Sequence, residues 1–330
     1  MSQKYKKIAR NPFLIPLYGY RISSKRFSKY KESRAESKRL IDENSEIVQT
    51  FERLKVHEQS SLPLSYRLRE KSWQLLAASS STSDQRWVRE WIEDHPASSV
   101  GTKNLSNREE WLKKTLKKIP RGKKILDAGA GELQYKRFCT HLDYTSQDFG
   151  QYTGEGNASG LQTGSWDNSK LDIISDIASI PVKDGSFDAI MCIEVFEHIP
   201  HPLEALKEFH RILKPGGFLI LTSPFSSLTH FAPYYFYNGF SRYFYEQALP
   251  QSGFTISELD VNGNYFEYMG QELRRLDEVS SMYTDEKEQG FLDKLAKHVV
   301  LRRLEKLSGQ DKGSSELLIQ GVHVLATKDL

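Results

Sequence analysis

Residues 124–131 read Lys124-Ile125-Leu126-Asp127-Ala128-Gly129-Ala130-Gly131, and this stretch decides the fold. Ile125 and Leu126 read as the end of a buried strand. Gly129 and Gly131 make the tight turn after it, where a backbone can approach a ligand closely. Asp127 chooses among the ligands of such turns. A dinucleotide's pyrophosphate wants only backbone N–H groups and a helix N-terminus. A carboxylate there repels phosphate and suits a cationic ligand. The third glycine of a dinucleotide pattern is absent too, since Gln134 occupies its place.

Further acids stand at the ends of the next apolar stretches. Asp148 closes Leu142–Asp148, nineteen residues after Gly129, where an acid can accept both hydroxyls of a ribose. Asp176 follows the strand expected over 171–175, where it can accept from an adenine amino group while Ile177 packs on the ring. Residues 185–198, Gly-Ser-Phe-Asp-Ala-Ile-Met-Cys-Ile-Glu-Val-Phe-Glu-His, read as a turn, a fourth strand and a loop over the ligand. Leu203, Leu206, Phe209, Ile212 and Leu213 recur at helical spacing, Lys214-Pro215-Gly216-Gly217 stops that helix, and Phe218–Thr222 is the next strand.

This combination resembles the class I S-adenosylmethionine-dependent methyltransferases, in the group with a D-x-G-x-G turn, an "FD…E..EH" fourth strand and an "R.LKPGG" turn. The resemblance covers about 108–261 and returns at 317–327. It implies an α/β fold: a Rossmann-like, doubly wound, seven-stranded sheet with an antiparallel last strand. It also implies S-adenosylmethionine as cofactor, with Asp127, Gly129 and Gly131 at its methionine end, Asp148 on the ribose, Asp176 and Ile177 at the adenine, and Ile193 and Glu194 lining the site. One departure is Leu133, where many members carry glycine. Its side chain either narrows the approach to the cofactor or packs beneath it.

The 330 residues allow one large domain with additions, or two modest ones. Cys139 and Cys192 give no disulfide framework, and no apolar run approaches membrane-spanning length, which fits a soluble, cytoplasmic enzyme. Net charge is only +3, yet residues 1–40 carry twelve Lys/Arg against Glu32 and Glu36. The division expected is a helical, basic N-terminal extension over 1–105 and a catalytic domain over 106–330. Helices are expected near 31–58, 64–78 and 85–94, with linkers at 79–83 and 96–101. The helix entering the catalytic domain points Trp111, Leu112, Leu116 and Ile119 inward. The Gly-rich stretch 150–170 lacks an apolar period, so its crossover helix should be short or missing. Residues 262–317 read as a helical insertion before the last strand, placed to cap a substrate site or to make a dimer face.

Chemistry on the acceptor belongs near the carboxyl ends of the fourth and fifth strands. His198 and His230 fall there, and an imidazole is a fitting base for a hydroxyl acceptor. Aromatic residues crowd 231–245, either to stack on a flat acceptor or to pack under the insertion. That stretch also resembles, more loosely, the "H..P.....F" substrate loop of methyltransferases of polysaccharide and small-molecule biosynthesis. No His/Asp cluster has metal-ligand spacing, so no metal is expected. Three functions follow for test: methyl transfer to a hydroxyl of a small molecule or glycan, methyl transfer to nucleic acid with the basic arm as its grip, and a non-catalytic interaction module. The basic arm also allows peripheral contact with an anionic membrane.

Overall fold

The computed structural model describes residues 98–285 and 291–330, all within the unit Arg86–Leu330. The helices expected before residue 95 and the basic arm lie outside the described residues. Seven strands form one sheet: β1 Lys124–Ala128, β2 Asp143–Asp148, β3 Ile173–Ile174, β4 Phe187–Ile193, β5 Leu213–Pro224, β6 Phe254–Asn262 and β7 Gly321–Lys328. Their order is β3-β2-β1-β4-β5-β7-β6. β1 to β5 pair in parallel, and β7 runs antiparallel between β5 and β6. The expected sheet is therefore the observed one. Strand order reverses between β1 and β4, which opens a crevice at their carboxyl ends.

Strand alternation divides the central strands between two cores. Ile190, Leu219 and Leu221 face one side with α2 (Pro202–Ile212) and α3 (Arg242–Gln251), whose Leu206, Phe209, Ile212 and Leu249 are buried there. Met191 and Ile220 face the other side, against Trp111, Leu112 and Leu116 of α1 (Asn104–Leu116). Each such aliphatic side chain stabilises the fold by roughly 1.5–3 kcal/mol on burial. The sheet is thus fixed from both faces, and its carboxyl edge can serve as a rigid rim.

The turn after β1 leads into a single 3-10 turn, Lys136–Phe138, and the β2–β3 connection is an irregular strap without a helix, as its composition implied. Other elements depart from expectation. Lys214–Gly217 do not separate a helix from a strand. They bulge within β5, where Leu213 pairs with Phe187 and Phe218 with Ala189. Leu203 is 50% exposed, on the outer side of an α2 first turn whose Pro202 and Ala205 are buried. α3 was not foreseen.

The expected linker ends in a packed turn. Val100 is buried, and Arg274 donates to the Val100 carbonyl at 2.8 Å. The insertion consists of α4 (Tyr265–Tyr283) and α5 (Phe291–Ser308), joined by an ion pair between Lys297 and Asp277 at 2.7 Å. Among the described residues no helix is long and apolar enough to cross a membrane.

Candidate active site

A cavity of about 1250 Å³ opens at the carboxyl ends of β1, β2, β4 and β5. That exceeds the space of a single drug-sized ligand, about 300–1,000 Å³, and leaves room for a cofactor and an acceptor together. Gly129, Gly131, Asp148, Asp176, Ile177, Ile193, Glu194, His198 and His230 all line it. Of the residues expected to hold the cofactor or to act on the acceptor, Asp127 alone does not.

The glycine turn is built for close approach. Gly129 has φ +79°, and a Cβ there would lie 2.5 Å from the Val195 side chain. At Gly131, with φ +49°, a Cβ would lie 2.6 Å from the Trp166 ring. The N–H groups of the turn are already engaged: Gly129 and Ala130 donate to the Gln147 carbonyl at 2.8 and 2.9 Å, and Gly131 to Asp148 at 3.0 Å. A pyrophosphate finds no nest of free donors here. A wall with three carboxylates, from Asp148, Asp176 and Glu194, and apolar Ile177 and Ile193 fits a hydroxylated, cationic nucleoside far better.

The acids differ in role. Asp148 accepts from Gly131 through one carboxylate oxygen and from Gly150 through the other, both at 3.0 Å. Asp176 is exposed, and one of its oxygens accepts from Ala178 N–H at 2.8 Å. Asp127 lies beneath the turn, 1% exposed, where it accepts from the Tyr144 hydroxyl at 2.6 Å. Burial pushes its pKa up to about 7, against the lowering effect of that hydrogen bond, with the Asp148 charge adding to the rise. Asp127 thus sits beneath the cavity wall, held against β2 by the Tyr144 hydroxyl.

Leu133 is half-buried, holds φ +64° and does not line the cavity, so it does not narrow the approach. Arg108 is a wall residue the sequence did not announce. Its guanidinium reaches Glu194 at 2.8 Å, and the other Glu194 oxygen accepts from the Thr222 hydroxyl at 2.8 Å.

The acceptor side carries the aromatic residues, but only some of them. Phe231, Tyr234 and Phe236 line the cavity, as do Tyr152 and Trp166 from the strap. Tyr152, Trp166 and Phe231 form a cluster with ring centroids 4.7–5.4 Å apart. Phe240 and Tyr245 instead pack in the core with Phe196. Gln271 and Arg275 of α4 also reach the cavity, so the insertion caps it.

His198 and His230 meet at the center of this half. Their Nε2 atoms are 3.1 Å apart, while each Nδ1 faces a backbone carbonyl, of Tyr234 at 2.6 Å and of Leu228 at 2.8 Å. Glu197 adds a carboxylate oxygen 3.8 and 3.9 Å from the two Nε2 atoms. The histidines looked scattered in sequence, yet the fold gathers them with Glu197 into a group with metal-ligand spacing. Burial lowers the His198 pKa to about 4, with the His230 charge adding, and burial lowers that of His230 as well. Burial raises the Glu197 carboxyl well above the usual range, and the Glu194 charge adds to the rise. Neither imidazole takes up a proton readily at neutral pH, which weakens the expectation of a free histidine base.

Over part of its length the chain is similar in sequence to known methyltransferases. Residues 126–221 match the family described as "Methyltransferase domain". The ubiquinone biosynthesis O-methyltransferase of Xanthomonas axonopodis pv. citri is 28% identical over 141 residues, 42% of this chain and 56% of that protein. The same enzyme of Xanthomonas oryzae pv. oryzae is 30% identical over 105 residues, 31% of this chain and 43% of its own. The chain thus spans about half the length of the curated relatives it matches. Among solved structures, Haemonchus contortus phosphoethanolamine N-methyltransferase 2 in complex with S-adenosyl-L-methionine aligns over 68% of this chain and 53% of that one. Its identity is 17% and its TM-score 0.40. Residues 126–221 of this chain thus carry a methyltransferase domain, folded into this strand order around this acid-lined crevice.

Proposed function

We propose that this chain transfers a methyl group to a hydroxyl oxygen of a small molecule or glycan. The observation that carries the reading is the Glu197–His198–His230 group, whose unprotonated Nε2 atoms converge beside an aromatic wall in the acceptor half of the cavity. When bound, S-adenosylmethionine supplies an electrophilic methyl on a sulfonium. Asp148 would hold the ribose hydroxyls, Asp176 and Ile177 the adenine, and Gly129 and Gly131 the chain leading to the sulfur. Glu194 and Arg108 would meet the ammonium and carboxylate of the methionine end.

The protein's share of the chemistry is alignment and exclusion of water, which together can supply about 7–11 kcal/mol of a barrier. Trp166, Tyr152 and Phe231 would cover the reacting groups, and an aromatic or sugar ring stacks on such a surface. An amine acceptor needs no such triad, because it attacks with its own lone pair once neutral. A hydroxyl gains from such a group, since its proton must leave. The nucleic-acid reading rests on the basic arm over 1–40, outside the described residues.

Methyl-labelled cofactor, offered with hydroxylated acceptors (sugars, phenols, catechols) and with amines and RNA as controls, tests the reading. Label in an alkali-stable methyl ether is the expected result. Label confined to amines or RNA overturns it.

A further inference from the structure

We propose that Glu197, His198 and His230 form the binding site of one divalent transition metal ion, of the zinc, manganese or cobalt kind, whose open positions take the acceptor's oxygen. The inference rests on the hydroxyl-transfer reading for the role of the ion, but not for its binding.

Tautomers come first. Each Nδ1 faces a carbonyl, which only accepts, so each Nδ1 carries the ring proton. The two Nε2 atoms then present lone pairs to each other at 3.1 Å, and two acceptors do not bond without a positive charge between them. A shared proton would serve the nitrogens and leave the Glu197 carboxylate unserved. A metal ion serves all three. A triangle with sides 3.1, 3.8 and 3.9 Å has a point about 2.1 Å from every corner. Zinc bonds imidazole nitrogen at about 2.0–2.1 Å and carboxylate oxygen at about 2.0–2.2 Å. The three donors need no rearrangement to reach one ion.

Glu197 adds an independent sign. It is 1% exposed, and its Oε2 atom has no hydrogen-bond partner. The neighboring cation, Arg108, is turned to Glu194. A buried carboxylate so placed is costly unless a cation joins it. The donor set selects the ion: two imidazoles and one carboxylate suit zinc, manganese, iron or cobalt, whereas magnesium and calcium prefer oxygen alone. The carbonyls behind both rings are the outer partners that orient metal-bound histidines.

His198 and His230 line the cavity, so the remaining coordination positions open toward the acceptor. A hydroxyl bound there loses its proton to water as its O–H bond breaks, and the electron pair stays on the oxygen. No oxidant or reductant is involved. Two adjacent hydroxyls, as in a catechol or a sugar diol, would chelate the ion through both open faces.

Cobalt(II) titrated into the chelator-stripped full chain, followed by its visible d–d absorption, tests the site. One saturable cobalt per chain is expected, displaced by zinc. H198N and H230N should each weaken cobalt binding more than about tenfold, while S-adenosylmethionine affinity, the check on folding, stays within about twofold. X-ray absorption of the zinc-loaded wild type should show two imidazoles and an oxygen shell, a readout that needs no variant. Cobalt binding equal in wild type and the H198N/H230N double variant overturns the site, as does an absorption spectrum without imidazole. Methyl transfer that persists in stripped protein removes the ion's role and leaves the hydroxyl reading standing.

Discussion

Asp148 uses one carboxylate twice. It ties Gly131 and Gly150 together at 3.0 Å each, and each oxygen keeps a second lone pair for the cavity. D148A should lower S-adenosylmethionine affinity by about 1.5–3 kcal/mol, roughly ten- to a hundredfold, as calorimetry would read. Unchanged affinity would remove Asp148 from the site. Glu194 is a second pivot. Its φ of +56° costs about 1–2 kcal/mol in a non-glycine residue, and Arg108 and Thr222 hold it there. Removing one partner of such a largely buried pair leaves a stranded charge, so R108M should destabilise by roughly 2–4 kcal/mol in urea. R108M/E194Q should recover most of that loss, and equal stability of R108M and wild type would mean the pair supports nothing. At this scale the acids were legible in sequence because strand ends announce them. The Glu197–His198–His230 group was not, because His230 comes 32 residues after His198 and only the approach of two loops brings it back.

Elements were legible wherever one physical rule dominated. β4 and β7 are buried along most of their length, so apolar runs marked them. α4 begins at Tyr265, close to the start of the expected insertion, and the sequence carries the signal for it. The Asn264 side chain accepts from Phe266 and Glu267 N–H groups at 3.0 Å, an N-cap with an acid three residues on. α3 escaped notice because aromatic density hid its period and Pro250 lies inside it. β7 also carries a test of its own. His323 is 4% exposed with its ring 4.9 Å from that of Trp111, and burial, with the Arg108 charge adding, lowers its pKa to about 4. The unfolded chain, with an imidazole near 6.5, binds the proton first on acidification. Stability from neutral His323 is therefore complete above about pH 6.5 and lost progressively toward pH 4, by roughly 3 kcal/mol. H323L should flatten that part of a stability-versus-pH curve measured by urea denaturation. An unchanged slope between pH 6.5 and 4 would assign the acid loss to other groups.

Across the described residues, the sheet sets two half-sites side by side: the ends of β1 to β4 carry the residues proposed for the cofactor, and the loops after β4 and β5 those proposed for the acceptor, with the strap and α4 beside both. The cofactor wall contains none of the acceptor triad, so the two halves should bind separately. A ligand that binds only the folded state at a hundred times its Kd adds about 2.7 kcal/mol. For a unit of this size, Arg86–Leu330, that raises Tm by roughly 5–10 °C. S-adenosylmethionine, or its demethylated product S-adenosylhomocysteine, should give that rise in wild type and in H230N alike, and much less in D148A at the same ligand concentration. A differential scanning calorimeter reads all three. If H230N lost the rise while D148A kept it, the halves would be assigned the wrong way round. A loss in both would mean that the walls do not act separately and that the cofactor spans the cavity to the histidines. A rise kept in H230N and largely lost in D148A is the outcome expected from this strand order, with its crevice at the β1–β4 reversal.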